Sequence, residues 1–569
     1  MRSNIIGIGK PSAISTWLQN RPSAAGLVLV APAVIYLTAL YLLPLSQVLL
    51  RSITQPQLDF GNYVKLFTTP VYWQSFVVTF RISAVVAAVC PILGYPVAIL
   101  LTRISAGWRV VAFACILVPY WTSALVRTYA WTVILQRRGV VNSLLMQAGL
   151  IDTPLQLSYT TIGTIIGNVH ILLPTMILTL YAGMHRIDRS LVTAARTLGA
   201  TPSRAFALVY LPLSVPAIVA ATTLTFVASL SSYIIPALLG GRKDLFVAQL
   251  IDQQVNQMLD VGFASAIAMV LLVACIVISV AYTRIIHVQG GRSGEHDASS
   301  PKEALTPFGR LTAVYAAIVL VFLVLPTFVL IPLSFSSARY LTFPPPGYSL
   351  QWYESYLHNP AWIEATWRSV RIGLCSAACA AALGTLAALG LSRVEGMARY
   401  LLFTLMLSPL LMPNIIYALG IYQVYSSLGL IGTEVGLALA HSVLGMPYVL
   451  ITVSAALSHR DVQLALAART LGAGPLAAFS LVRFPLIQRS VLVGALLAFI
   501  ASFDEVIIAI FVSGARATTL PKMMWDGVTN EVNPTISAVS ALMIAVSLTL
   551  IVVSAIASGK WRARKRGPR

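Results

Sequence analysis

The sequence predicts an all-α integral membrane protein with about twelve transmembrane helices in two homologous six-helix halves. Three observations predict it: an apolar composition, apolar runs long enough to cross a bilayer, and an internal repeat. Of 569 residues, 58% are hydrophobic and only 10% charged, with a mean hydropathy of +0.83. A soluble domain carries about 25% charged residues, so this composition points to lipid. Runs able to span a hydrocarbon core of about 30 Å recur along the chain. Examples lie at 26–50, 110–135, 162–181, 264–282, 311–333 and 537–557. About twelve emerge on a window of roughly twenty residues. The run at 26–50 is too long for a signal-peptide core and reads as a retained first span.

The repeat sets the plan. Pro70, Arg81, Arg103 and Pro119 recur as Pro360, Arg371, Arg393 and Pro409, each 290 residues later. Asp188, Gly199 and Pro212 recur as Asp461, Gly472 and Pro485, 273 residues later. The first half therefore carries 17 additional residues between Pro119 and Asp188, expected in the polar stretch 136–159. Between the halves, a Gly-, Ser- and charge-rich stretch reads as a flexible linker. The expected order is an N-terminal segment (1–25), a first half (26–286), a linker (287–310), a second half (311–558) and a basic tail (559–569). Parallel repeats of this kind imply a pseudo-two-fold axis along the membrane normal.

A formal charge of +20 invites a nucleic-acid reading, but its distribution argues against one. Roughly two-thirds of the Lys and Arg fall on one side of the membrane if the spans alternate, which places both termini in the cytoplasm. The tail 560–569 then reads as a contact with anionic lipid. All five cysteines (Cys90, Cys115, Cys275, Cys375, Cys379) lie in apolar spans and read as small packing residues, without metal or disulfide spacing. Paired metal-ligand motifs, a nucleophile elbow and a phosphate-binding Gly-rich loop are all missing, which argues against a membrane-embedded enzyme.

On the expected cytoplasmic side, each half has a long segment between its fourth and fifth spans, at about 186–212 and 459–485. Asp188 and Asp461 suit N-caps of a short helix, Gly199 and Gly472 suit the left-handed position after it, and Pro202 and Pro475 suit the start of the next helix. On the short helix, Leu191, Ala194, Ala195 and Leu198 fall at i, i+3, i+4 and i+7. Leu464, Ala467, Ala468 and Leu471 do the same in the second half. This narrow apolar stripe suits a groove on another protein. A single copy would fit an interfacial helix on lipid equally well; two copies with the same punctuation favour two equivalent docking surfaces.

The Ala-Ala-Arg-Thr-Leu-Gly-Ala segment (194–200, 467–473), followed by Leu-Pro-Leu (211–213) or Phe-Pro-Leu (484–486), resembles the Glu-Ala-Ala loop of bacterial ABC importer permeases. The resemblance covers both halves, from 26 to 557. It implies the type I ABC importer permease fold and a multi-pass location in the bacterial inner membrane. It also implies that the two segments are coupling helices seated in two ATPase subunits, with Arg196 and Arg469 beside the stripe. The motif's opening glutamate is Thr193 in the first half and Leu466 in the second. With no phosphate loop in this chain, ATP and magnesium would sit on the separate ATPases, and a substrate-binding protein would dock above; no cofactor is expected here. Segment 136–159 is the candidate surface for that protein.

Finer matches point to a subfamily. Pro-Tyr-Trp-Thr-Ser-Ala-Leu-Val-Arg-Thr-Tyr (119–129) looks like the third span of the first permease subunit of spermidine/putrescine importers. Ser-Phe-Asp-Glu-Val (502–506), with Ser513-Gly514 and Leu-Pro-Lys (520–522), looks like the second subunit. The resemblance thus implies a fusion of the two and a small cationic cargo, with a polyamine first and another amino-group solute (an amino acid derivative or opine) as the alternative.

The residues agree in sign. Asp504 and Glu505 fall inside the eleventh span, about 16 residues from its cytoplasmic end and roughly 24 Å up at 1.5 Å per residue. An intramembrane carboxylate is costly and marks a pathway or a partner; an ion pair with Arg516 is the plainer alternative. The repeat places Ser231 and Ser232 opposite them, so one half would supply anions and the other hydroxyls. Tyr120, Trp121 and Tyr233 offer aromatic faces to an ammonium group, although Trp121 suits an interfacial belt equally well. Asn414 lies where polyamine permeases often have an acid, and can hydrogen-bond the solute. Arg127 is expected to snorkel to the outer surface. A secondary transporter would also have twelve spans in two halves, but would not carry paired docking loops.

Overall fold

The structure, a computed structural model, describes residues 22–289, 307–340, 342–457, 464, 467–468, 470–530, 534–546 and 548–549. Among these, nine helices are long and apolar enough to cross a membrane, and two bent pairs raise the number to eleven. The twelfth run, expected at 537–557, is represented by the shorter apolar helix Thr535–Val546; its remainder lies mostly outside the described residues. Among them the only strand-like pairing is an isolated bridge between Ser336 and Tyr348.

Two expected spans are not straight. The run at 110–135 is broken into Ala106–Trp121 and Ala124–Gln147, bent by 97°, and its counterpart into Gly396–Leu411 and Asn414–Leu428, bent by 98°. Pro119 and Pro409 sit in the last turn of the first member of each pair. In the second half Met412 precedes Pro413, and both are extended or nearly so (ψ 138° and 122°). A residue before proline is pushed out of the helical region, so the chain must turn there. Hydropathy alone does not register such a break.

The repeat holds element by element. The short helix Gly61–Thr68 corresponds to Gln351–His358, and Pro70–Arg103 to Pro360–Leu391. At the second offset, Thr161–Met184 corresponds to Glu434–Ala456, Leu211–Leu230 to Phe484–Phe503, Ile234–Leu239 to Ile507–Val512, and Val247–Asn256 to Leu520–Thr529. Even the π-turns agree: Phe206–Tyr210 and Phe479–Arg483 each end two residues before a proline, as does Thr38–Leu42 in the first span. Proline cannot donate to the preceding turn, and a local widening to i→i+5 bonding accommodates the loss.

The halves interlock through their first spans. Helix Pro22–Leu37 packs against Pro360–Leu391, and its continuation Leu43–Thr54 against Asn414–Leu428; in return Pro307–Ser334 packs against Pro70–Arg103 and Ala106–Trp121. The first crossing depends on glycine. A Cβ on Gly390 would lie 2.5 Å from Val30, and one on Gly26 would lie 2.8 Å from the Gly390 carbonyl oxygen. Small residues let helix backbones approach closely in lipid, where packing rather than water drives association. Elsewhere the helices keep uncovered apolar faces, as at Leu311, Val314, Ile318 and Val321, a helical stripe suited to acyl chains. Cys90 and Cys275 are buried as expected, whereas Cys375 is exposed.

The additional stretch 136–159 is folded rather than merely polar. It contains helix Val140–Gln147, pinned by the buried Asn142. That side chain donates to the Gln136 and Leu155 carbonyls (3.1 and 2.9 Å) and accepts from Leu155 N (2.8 Å). Leu144, Met146, Leu150 and Leu155 stay exposed around it.

Candidate functional site

The eleventh span stops earlier than the sequence suggests. Helix Phe484–Phe503 ends on Asp504 as its C-cap, so Asp504 and Glu505 lie in a break rather than inside a continuous helix. The short helix Ile507–Val512 follows. Glu505 holds that break in shape. Its Oε1 accepts from Ile507 N and Ile508 N (3.0 and 3.1 Å), capping the short helix, and its Oε2 accepts from Asn414 Nδ2 (3.0 Å). A carboxylate is favoured at a helix N-terminus by the free N–H groups and the aligned peptide dipoles.

Asp504 faces the other half. Its Oδ2 accepts from Ala124 N at 3.5 Å, a long bond, and it interacts with the Ser123 side chain. Ala124 and Asn414 are equivalent positions in the repeat, each opening the second member of a bent pair. Two neighbouring carboxylates thus take donors from equivalent helix starts, one in each half. The Asp504 Oδ1 is buried and accepts no hydrogen bond.

The cation near Asp504 is Arg127, not Arg516. Arg127 was expected at the outer surface; instead it is 5% exposed, within a run from Leu125 to Leu135 that is almost wholly buried. It interacts electrostatically with Asp504, Tyr120 and His170. Arg516 is exposed. Snorkelling fails because the helix carrying Arg127 turns inward by 97°.

Of the other residues singled out, Tyr120 joins this cluster through Arg127, and Trp121 lies edge-on to Tyr120, their rings 5.7 Å apart. Tyr448 adds a further hydroxyl close to Tyr120 and Glu505, unforeseen from sequence. Asn414 is committed to Glu505 rather than held free for a solute. Ser231, Ser232 and Tyr233 occupy the equivalent break of the first half, and no hydrogen bond or ring contact joins them to the two acids. Ser231 Oγ donates to the Val227 carbonyl (3.0 Å), and Tyr233 donates to Asp252 (3.0 Å) while its ring lies 5.3 Å from Trp525. Asp252 has no acidic counterpart at its repeat position, Trp525, so the repeat did not single it out. The residue of the first half that faces Asp504 electrostatically is the Arg127 guanidinium.

On the opposite side, helix Arg189–Thr197 is capped by Asp188, which accepts from Ser190 N (2.9 Å). Gly199 and Gly472 take φ of +89° and +93°, the left-handed conformation that glycine alone adopts at little cost. Pro202 and Pro475 open the next helices. Leu191, Ala194 and Leu198 are exposed and Ala195 half-buried; Leu464, Ala467, Leu471 and Ala468 repeat the pattern. Arg196 is exposed beside the first stripe, while Asp461, Leu466 and Arg469 lie outside the described residues. Val192 and Ile187 pack inward against the first half's core, which leaves the leucines pointing out.

Comparison with known proteins gives the following matches. A family model described as "Binding-protein-dependent transport system inner membrane component" matches residues 65–287 and again 380–566. The spermidine/putrescine transport system permease protein PotB of Escherichia coli is 31% identical over 223 residues, 39% of this chain and 81% of that protein. The putrescine transport system permease protein PotI of the same organism is 36% identical over 230 residues, 39% of this chain and 82% of that protein. Among solved structures, a bacterial alginate ABC transporter in complex with an alginate pentasaccharide-bound periplasmic protein matches 49% of this chain and 99% of its own. Its TM-score is 0.41 at 17% identity.

Proposed function

This chain belongs to the inner membrane components of binding-protein-dependent transport systems, as two ABC importer permease units in one polypeptide, and from that premise we propose that it carries a polyamine inward. The observation that carries the cargo reading is the Asp504–Glu505 pair at the break of the eleventh span, set between the halves. The names of its PotB and PotI relatives support the same cargo. Buried carboxylates in a membrane interior stand on pathways for cations, and the aromatic faces of Tyr120 and Trp121 suit an ammonium group.

Two ATPase subunits would dock on the stripes at Leu191–Leu198 and Leu464–Leu471, hold ATP and magnesium, and leave this chain without a cofactor of its own. A binding protein would deliver the polyamine on the opposite face. ATP would draw the ATPases and both coupling helices together and open the site outward; hydrolysis would return it. Both termini then lie in the cytoplasm. The pinned segment 136–159 is the docking surface proposed for the binding protein. Replacing 140–155 by a short Gly-Ser link is expected to weaken binding-protein affinity by about tenfold, one anchor's worth of contact. Unchanged affinity and uptake would remove that assignment.

The cargo test is ATP-dependent uptake of spermidine and putrescine by this chain reconstituted with its ATPase and binding protein. Uptake of either supports the reading. Uptake of neither moves the cargo to another amino-group solute, and uptake without any ATPase would indicate a secondary transporter.

A further inference from the structure

We propose that Arg127 is a tethered stand-in for the cargo: its guanidinium neutralises Asp504 while the site is empty, and an incoming ammonium group displaces it. The inference rests on the polyamine reading of the same site and assigns a role to a residue that reading does not use.

Four observations carry it. Arg127 is 5% exposed, yet its Nε and Nη1 make no hydrogen bond. A guanidinium cannot shed its proton in a protein, so the charge stays and demands an anion. The carboxylate it interacts with is Asp504, whose Oδ1 is likewise buried and unbonded, and no direct ion pair closes between the two. A purely structural buried arginine would saturate its donors on carbonyls or a carboxylate; this one is held near its anion without being locked to it.

The third observation is the register. Ala124, which donates to Asp504, and Arg127 stand three residues apart at the start of one helix and so share a face. The guanidinium therefore belongs to the first half and the carboxylate to the second. Any relative movement of the halves changes their separation. The fourth is asymmetry. The repeat position of Arg127 is Tyr417, a neutral side chain whose hydroxyl donates to the Ala440 carbonyl (3.2 Å). Only one half carries a cation here, and it faces the half that carries the acids.

The chemistry follows. An unoccupied, half-buried carboxylate would recruit any small cation. A tethered guanidinium blocks that, and yields to a ligand that brings more than one positive charge and aromatic-compatible methylenes. Because it competes with the cargo, it also promotes release once the halves move.

The test uses the purified complex of this chain with its ATPase, and radiolabelled putrescine as probe. Arg127→Met is expected to bind putrescine about tenfold more tightly than wild type, as a bound competitor's removal should, while kcat for uptake falls through slow release. Arg127→Lys keeps the competing charge and is expected to tighten binding less than Arg127→Met. Equal or weaker binding in Arg127→Met, with wild-type uptake intact, would overturn this inference alone. Failure of wild type to import either polyamine would instead remove the cargo reading and this inference with it. If Arg127→Met does not assemble, the double variant Arg127→Met/Asp504→Asn decides. Restored assembly supports charge pairing, and continued failure marks a packing role and overturns the proposal.

Discussion

Asp504→Asn is expected to lower the rate of polyamine uptake roughly 10- to 100-fold while the complex still assembles. The estimate takes one charge-assisted contact to the moving cation as worth about 1.5–3 kcal/mol, with 1.4 kcal/mol per factor of ten. Asparagine keeps the size of the side chain and can still accept from Ala124 N, so the bond across the halves survives. What is lost is the charge that both Arg127 and an ammonium group would seek. Glu505→Gln should behave differently, because Glu505 already accepts from Ile507, Ile508 and Asn414. An amide oxygen can serve the two backbone donors, but its NH2 would face the Asn414 NH2 unless that side chain flips. The glutamine variant is therefore expected to lose stability as well as rate. If Asp504→Asn imports at the wild-type rate, the pathway does not run past Asp504.

The sequence made the large plan legible because punctuation survives repetition. Pro202 with Pro475, and Gly199 with Gly472, stand at the same places in both halves, and the structure puts helix starts and left-handed turns there. The existence of the spans was legible for the same reason that lipid selects them. Their breaks were not. Thr122 and Ser123 interrupt the third span with two unremarkable residues, and hydropathy averages over them. The end of the eleventh span is equally quiet, since Ser-Phe-Asp-Glu contains neither glycine nor proline. The same break sets the position of Arg127. Read along a straight helix it reaches the surface; on a helix turned by 97° it points into the protein. The candidate site was half legible: Asp504, Glu505, Asn414 and Tyr120 do converge, while Ser231 bonds to Val227 and Tyr233 to Asp252 rather than to the acids. Nothing local to Tyr233 announces Asp252, because that bond depends on how a later helix folds back.

The docking stripes offer the second large effect. Leu198 and Leu471 are 88% and 89% exposed, although Leu198 closes a short helix that is capped by Asp188 and packs inward through Val192. Exposing a leucine so fully on both copies is costly unless a partner covers it, since burying one is worth about 1.5–3 kcal/mol. Leu198→Glu and Leu471→Glu should each weaken ATPase association about 10- to 100-fold on that basis. Neither should affect the fold, because neither side chain touches the core. The double variant should do more than add the two losses. Two stripes on one chain engage a paired ATPase as a bivalent ligand, and losing the second contact also removes the effective concentration provided by the first. An interfacial role makes the opposite forecast: glutamates would lift both helices off the lipid and leave the ATPases bound. Co-purification of the ATPase with the double variant separates the two. Retention at the wild-type level would mean that the paired leucines face lipid, and that coupling runs through another surface.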